Sequence, residues 1–143
     1  MKLSSNPGSC PKFGGPKISF AGRLVLYWLP VLGLSLIIFF MSSFPSVETK
    51  VLFDHQDKII HLMIYGLLAY LAARALKTEM PRLNKKSLFL WAAGFGALFG
   101  LSDEIHQAFV PGRVAGVGYW LADFTGSLAG AGLFTRPLKT DLS

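Results

Sequence analysis

The sequence predicts an all-α membrane protein, a bundle of four transmembrane helices with both termini in the cytoplasm. Hydrophobic residues make up 52% of the 143-residue chain and charged residues 15%, whereas a soluble domain carries about 25% charged residues. Four apolar runs follow one another along the chain, separated by short polar segments. Lysine and arginine are concentrated in alternate connections, as is typical of proteins that cross a membrane several times.

A chain of this length holds one domain. Residues 1–20 are rich in Ser, Gly, Pro and Lys and are predicted to form a disordered cytoplasmic tail. Residues 21–136 form the predicted transmembrane domain, and residues 137–143 a second cytoplasmic tail. The single cysteine, Cys10, lies in the first tail, where it cannot form an internal disulfide.

The first predicted helix runs from Leu24 to Met41, without a charge. A span needs about 17–25 apolar residues, which this run reaches at its lower end. Pro30 lies within it and is expected to kink the helix. A cleaved signal peptide is the alternative, but its apolar region is about 7–15 residues long and is followed by small residues. The segment MSSFPS is a poor match to such a cleavage site.

Three further helices are predicted over Lys58–Leu76, Ser87–Ala108 and Val117–Phe134. A basic loop containing Pro81 separates the second helix from the third. The segment VPGR forms a turn before the fourth, since Pro-Gly commonly marks turns.

The basic residues also predict the orientation of the bundle. With four spans, eleven of the 14 lysines and arginines lie on one side: Lys2, Lys12, Lys17, Arg23, Arg74, Lys77, Arg82, Lys85, Lys86, Arg136 and Lys139. The other side holds Lys50, Lys58 and Arg113. The positive-inside rule places the first side in the cytoplasm. The net charge of +6 is therefore interpreted as a topology signal, and no nucleic-acid partner is expected.

Small residues indicate how the helices pack, because close contact between helices in lipid relies on them. Gly96 and Gly100 have the GxxxG spacing in the third helix, and Gly126 and Gly130 have it in the fourth. Two such motifs in adjacent helices favour a tightly packed pair.

Ionisable residues within membrane helices are costly and by default suggest function. In the second helix, Asp57, His61 and Tyr65 are four residues apart and share one face. The helical rise of about 1.5 Å per residue places such groups in the outer part of the membrane, where they could converge in one pocket.

The third and fourth helices carry matching polar positions. Asp103 and Gln107 are four residues apart, with Glu104 adjacent, and Asp123 lies in the first half of the fourth helix. Two adjacent acids within a helix repel each other and resist desolvation, which argues against a purely structural role. Helix capping by Asp57 and packing by the aromatic residues are the structural alternatives.

These residues resemble the motifs of the VanZ-like family. DKIIHLMIYGLLAYL resembles its D-K-x-x-H-x-x-x-Y segment, SDEIHQAFVPGR its S-D-E-x-x-Q-x-F-x-P-G-R segment, and LADFTGSLAGAG its closing A-N/D-x-x-G-x-x-x-G stretch. The resemblance covers about residues 54–133. One departure is Tyr119, which stands where the family usually has an acid. Either Asp123 carries that role alone, or the site is altered.

The resemblance implies a multi-pass protein of the bacterial inner (cytoplasmic) membrane, linked to tolerance of glycopeptide antibiotics such as teicoplanin. It implies no particular reaction. The first hypothesis is a protein that binds or acts on an envelope lipid, glycolipid or cell-wall precursor at the outer leaflet. The candidate acid–base residues are Asp57, His61, Asp103, Glu104 and Asp123, and the candidate ligand-binding residues are Lys58, Tyr65, Gln107 and Arg113.

Arg113 has two alternative roles. It could grip a phosphate or carboxylate of the ligand with its guanidinium fork, or pair with Asp103, Glu104 or Asp123.

The cofactor is left open. A divalent metal held by Asp57, His61 and the Asp103–Glu104 pair is one interpretation, and carboxylate–histidine hydrogen bonding explains the same spacing. A non-catalytic membrane helper is the alternative function. A proton-coupled transporter is a further one, but the predicted polar groups stop in the outer half of the membrane.

Overall fold

The computed structural model describes residues 18–45 and 55–136, which form four helices. Helix α1 is Phe20–Ser42, α2 is Gln56–Glu79, α3 is Lys85–Gln107 and α4 is Val117–Thr135. No strand occurs within these residues, so the prediction of an all-α fold is confirmed. The predicted tails lie outside the described residues, except for residues 18–20.

Helix α1 contains a π-helical turn at Leu24–Trp28. The backbone N–H of Leu29 reaches the carbonyl of Leu24, five residues earlier. Pro30 has no N–H to donate, and its ring crowds the carbonyl four residues before it. The π-helical turn therefore ends just before Pro30, where the sequence predicts a kink.

The ends of the other helices follow from local chemistry. The Asn84 side chain accepts a hydrogen bond of 2.8 Å from the Ser87 backbone N–H and so caps α3. In the turn before α4, Gly112 adopts a φ of 81°, which glycine tolerates at no steric cost. Gly116, with extended backbone, immediately precedes α4.

Helix α4 lies against both α2 and α3 through small residues. A Cβ at Gly130 would lie 2.9 Å from Gly66 Cα, and one at Gly96 would lie 3.0 Å from Ser127 Cβ. Gly96 and Gly100 of α3 therefore face α4, whereas Gly126 and Gly130 face the backbone of α2. Gly66, which the sequence did not single out, completes the α2–α4 contact. Buried alanines fill the rest of this core: Ala69, Ala72, Ala73, Ala75, Ala92, Ala93 and Ala131.

Large apolar side chains cover the outside of the bundle. Leu36, Met63 and Leu98 are each about two-thirds exposed, as expected where lipid replaces water. Helices α1, α2 and α3 are long and apolar enough to cross a membrane. Helix α4, with 19 residues, is not among the helices that meet this criterion. Three of its buried positions are occupied by Gly126, Gly130 and Asp123, which add little or no hydropathy. A fourth span thus stays a prediction, as does the orientation of the bundle.

The two ends of the bundle differ in charge. The polar end is where α1 and α3 finish and α2 and α4 begin, and it holds the candidate site. The basic end is the opposite one, where α2 connects to α3. There Arg23 pairs with Glu79 at 3.3 Å, and Lys77 donates hydrogen bonds to the carbonyls of Pro81 and Leu83.

Candidate functional site

The buried polar side chains of the described residues concentrate toward the polar end. They come from three different helices: Ser42, Asp103, Glu104, Gln107, Asp123 and Ser127. Helix α2 adds His61, which is partly buried, and Tyr65, which is 1% exposed. The structure therefore brings together side chains from all four helices in one cluster.

His61 and Asp123 form the centre of this cluster. His61 Nδ1 lies 2.9 Å from Asp123 Oδ1, and Asp123 is fully buried. Gly100 of α3 makes room for the pair, since a Cβ there would lie 2.8 Å from Asp123 Cβ. The residue that contacts His61 is thus Asp123. Asp57, four residues before His61 in the same helix, bonds elsewhere.

Asp103 accepts three hydrogen bonds on one oxygen. Its Oδ2 receives them from Ser42 Oγ at 2.9 Å, Tyr65 Oη at 3.1 Å and Gln107 Nε2 at 2.8 Å. Gln107 Nε2 also donates to Ser42 Oγ at 3.1 Å. The predicted pairing of Asp103 with Gln107 along one helix face therefore occurs. The network joins α1, α2 and α3 and holds Asp103 in place.

Glu104 ties the turn before α4 to the site. Its Oε2 accepts a hydrogen bond of 2.8 Å from the backbone N–H of Gly116. The side chain is buried, and its other oxygen, Oε1, has no hydrogen-bond partner. Asp103 Oδ1 and Asp123 Oδ2 are likewise buried without a partner. Three carboxylates thus each offer one free oxygen, which is unusual because buried polar atoms are normally paired.

The rim of the site is formed by the first turns of α2 and α4. The Tyr119 hydroxyl donates to Asp57 Oδ2, and Asp57 Oδ1 accepts from the Lys58 backbone N–H at 2.9 Å. The Lys58 ammonium lies 5.9 Å from the centre of the Tyr119 ring, which is itself 5.3 Å from the His61 ring. Tyr119 therefore covers His61 and links it to the rim.

Arg113 lies in the turn between α3 and α4. Its Nη2 donates to the carbonyl oxygen of Met41 near the end of α1, and its Nε is buried without a hydrogen-bond partner. Among the described residues, Arg113 has no carboxylate within ion-pair distance. The contact to Met41 positions the guanidinium beside the polar end without neutralising it.

Donor atoms of His61, Glu104 and Asp123 all lie within 4.8 Å of one another. This set could hold a metal ion, and it differs from the interpretation based on Asp57, His61 and the Asp103–Glu104 pair. Asp57 bonds to Tyr119, and Asp103 is engaged by three donors on one oxygen. The same groups could alternatively hold and pass on a proton.

Sequence reasoning missed several members of the site. Ser42 lies 61 residues from Asp103, and Tyr119 lies 62 residues from Asp57. Neither pairing leaves a periodic signal in the sequence. For Tyr119 the sequence contains one hint, since this residue stands where the family usually has an acid. A polar group is therefore expected at this position in the first turn of α4.

Comparison with known proteins places the chain in a family. Residues 24–138 match the family model described as VanZ/LLP1. No match was found among curated proteins or among solved structures. The matched region contains all four helices except the first turn of α1, and it includes every residue of the cluster described above. This chain, with its membrane-span-like helices, belongs to the VanZ/LLP1 family.

Proposed function

We propose that this protein binds or acts on a lipid, a glycolipid or a lipid-linked cell-wall precursor at the outer leaflet of the bacterial cytoplasmic membrane. The observation that carries the proposal is the convergence of His61, Asp103, Glu104 and Asp123 in one buried cluster at the polar end. Ionisable groups at this depth are expensive in a membrane, so they are retained for a ligand or a reaction.

The orientation of the bundle supports a ligand in the outer leaflet. With four spans, eleven of the 14 lysines and arginines fall on the side of the basic end, in the tails, in the loop between α2 and α3, and at the adjoining helix ends. The positive-inside rule directs that side to the cytoplasm, and the polar end then faces outward. A lipid headgroup diffusing in the outer leaflet would meet the cluster from the side of the membrane surface.

The rim supplies the charges for an anionic headgroup. Arg113 uses Nη2 on the Met41 carbonyl and has no acidic partner among the described residues. The Lys58 ammonium lies 5.9 Å from the centre of the Tyr119 ring. Phosphate esters and carboxylates are bound well by such cations, with arginine adding a planar fork. The acids below the rim would repel the same headgroup, which keeps it at the rim and leaves its uncharged part near His61.

His61, Asp123 and Glu104 provide the groups for proton transfer. His61 can exchange a proton with Asp123 across 2.9 Å, and Glu104 lies within the same group of donor atoms. A carboxylate that orients an imidazole is a common arrangement for acid–base catalysis. A helper protein that only binds lipid would need shape and charge but no such relay.

The test compares acids at the two ends of the bundle. His61→Ala and Glu104→Gln should insert and fold but lose function in an assay of envelope stress or glycopeptide tolerance. Glu79→Gln is the matched control, because it removes an acid at the opposite end of the bundle, where Glu79 pairs with Arg23 at 3.3 Å. Full activity in both cluster variants would show that the site is assigned wrongly.

Lipid binding is measured on the purified chain in phosphatidylcholine nanodiscs. Phosphatidylglycerol and a polyprenyl-diphosphate-linked sugar serve as probes, and native mass spectrometry detects what stays bound. We expect the wild type to retain an anionic probe over phosphatidylcholine. A chemically altered probe, formed by the wild type but not by Glu104→Gln, would indicate an enzyme, and an unaltered bound probe would indicate a helper. Equal retention of phosphatidylcholine and both probes would contradict the proposal.

A further inference from the structure

We infer that His61, Glu104 and Asp123 form a binding site for a divalent transition-metal ion. The three side chains come from α2, α3 and α4, and their donor atoms lie within 4.8 Å of one another. A nitrogen and carboxylate oxygens are ligands that zinc and similar ions accept. The metal site rests on this geometry, whatever ligand occupies the rim.

The free oxygens of the cluster point independently to a cation. Glu104 Oε1 and Asp123 Oδ2 are buried without hydrogen-bond partners, on side chains of residues that are 7% and 0% exposed. Burying a carboxylate oxygen without a partner is costly, and lipid outside the bundle offers no water to relieve it. One cation among the three side chains would satisfy both oxygens at once. Hydrogen bonding between His61 and Asp123 alone satisfies neither.

The distances fit an ion with little rearrangement. His61 Nδ1 and Asp123 Oδ1 are 2.9 Å apart, and two ligands about 2.1 Å from an ion and at a right angle to each other lie about 3.0 Å apart. Two ligands on opposite sides of an ion lie about 4.2 Å apart. The 4.8 Å limit of the cluster exceeds this span by about 0.6 Å, which the three side chains close when the ion binds.

Binding of the ion changes the protonation of the pair. His61 and Asp123 now share a hydrogen bond through Nδ1 and Oδ1. Metal ligands must be deprotonated, so the shared proton leaves to solvent as the His61 ring nitrogen and the Asp123 carboxylate bind the ion. Binding should accordingly weaken as the pH falls. Gly100 on α3 allows this exchange without displacing Asp123, because it places no side chain against the carboxylate.

Three protein ligands leave at least one coordination position open, as in catalytic rather than structural zinc sites. An open position at the polar end would accept an oxygen of a phosphate group or a water molecule. Binding of a phosphate oxygen at the open position rests on the proposed function, whereas the metal site itself does not. A bound cation would also let an anionic headgroup approach a cluster whose carboxylates otherwise repel it.

The experiment uses the full chain in detergent, stripped with EDTA and free of added lipid. Co²⁺ is titrated into the wild type while visible absorption is recorded, and Zn²⁺ is then added as a competitor. We expect saturable d–d bands at one Co²⁺ per chain, abolished by Zn²⁺. This measurement needs no substitution, so it does not depend on whether a variant folds. The absence of saturable bands in the wild type would overturn the inference.

Variants then test which side chains bind the ion. Asp123→Asn and Glu104→Gln should each weaken Co²⁺ binding by at least about tenfold. Asp57→Asn is the matched control, an acid at the same end that lies outside the group, and should bind as the wild type does. Equal affinity in Asp123→Asn and the wild type, or an equal loss in Asp57→Asn, would refute the assignment. If the wild type binds Co²⁺ but does not retain an anionic probe over phosphatidylcholine in nanodiscs, the proposed function alone is contradicted.

Discussion

The polar and basic ends of the bundle differ in how deeply their charged side chains are buried. At the basic end the charged groups stay near the surface. Arg23 and Glu79 form a partly exposed pair, and the Arg74 guanidinium lies 4.7 Å from the centre of the Tyr27 ring. At the polar end Asp103, Glu104 and Asp123 are buried, and each keeps an oxygen without a hydrogen-bond partner.

The difference matches the two roles proposed for charge, orientation of the protein at the basic end and ligand binding at the polar end. Surface cations cost little and contribute little to stability. Buried acids with free oxygens are destabilising unless something binds to them. Asp103 shows how the fold limits this cost, because one of its oxygens accepts hydrogen bonds from α1, α2 and its own helix. Burial of the acids at the polar end is therefore expected to destabilise the bundle, whereas the charges at the basic end are expected to have little effect on its stability.

The largest effect concerns the orientation of the two ends. Reporter fusions at residues 50, 80, 113 and 143 should give outside, inside, outside and inside. The physical reason is the excess of lysine and arginine on the side of the basic end. The readout is all-or-none, so an outside signal at residue 143 would refute the four-span topology and remove the basis for an outer-leaflet ligand.

The next effect tests whether the glycine contacts of α4 hold the bundle together below the site. In Gly130→Ala the new Cβ would lie 2.9 Å from Gly66 Cα and closer still to its carbonyl oxygen. Because the obstacle is backbone, we expect a loss of about 1–3 kcal/mol or more in the free energy of unfolding. Thermal unfolding in detergent, together with the yield of folded protein, measures it.

Gly94→Ala is the matched control for this change. Gly94 lies in α3, also toward the basic end, and a Cβ there would meet nothing within 4 Å. Alanine is a better helix former than glycine by about 0.5–1 kcal/mol, so this variant should be neutral or slightly stabilised. Equal melting temperatures for the two variants would show that α2 and α4 are not packed as closely as described.

The smallest effect on stability, with a large one on function, is expected for Arg113→Lys. Lysine keeps the charge but lacks the fork that binds a phosphate or carboxylate through two hydrogen bonds. The variant should insert and melt like the wild type but lose most activity in the glycopeptide-tolerance assay. Arg82→Lys, an exposed arginine at the basic end, should change neither property.

Arg113→Ala completes this comparison. If Arg113 instead served as the buried partner of an acid, stability and activity would fall together across both of its variants. Such parallel losses would contradict a ligand anchor and would rank the helper function above the enzyme.

Much of the fold was determined by the sequence because it depends on local rules. Apolar runs of sufficient length specify helices, and the predicted boundaries differ from the structure by no more than four residues, with the start of α4 predicted at the observed residue. Residues four apart share a helix face, so Asp103 and Gln107 were predicted to be neighbours, and they are. These features follow from backbone hydrogen bonding within one helix, which fixes its geometry independently of the rest of the chain.

Contacts between helices were decided only by the tertiary structure. The sequence indicated polar groups at similar depth, but it did not determine that Asp123 rather than Asp57 would contact His61. That choice depends on how each helix is rotated about its axis. The rotation is set by where backbones can approach, at Gly66, Gly126 and Gly130, and these contacts join residues far apart in the chain. Ser42 entered the site for the same reason, since α1 brings it to Asp103 from 61 residues away.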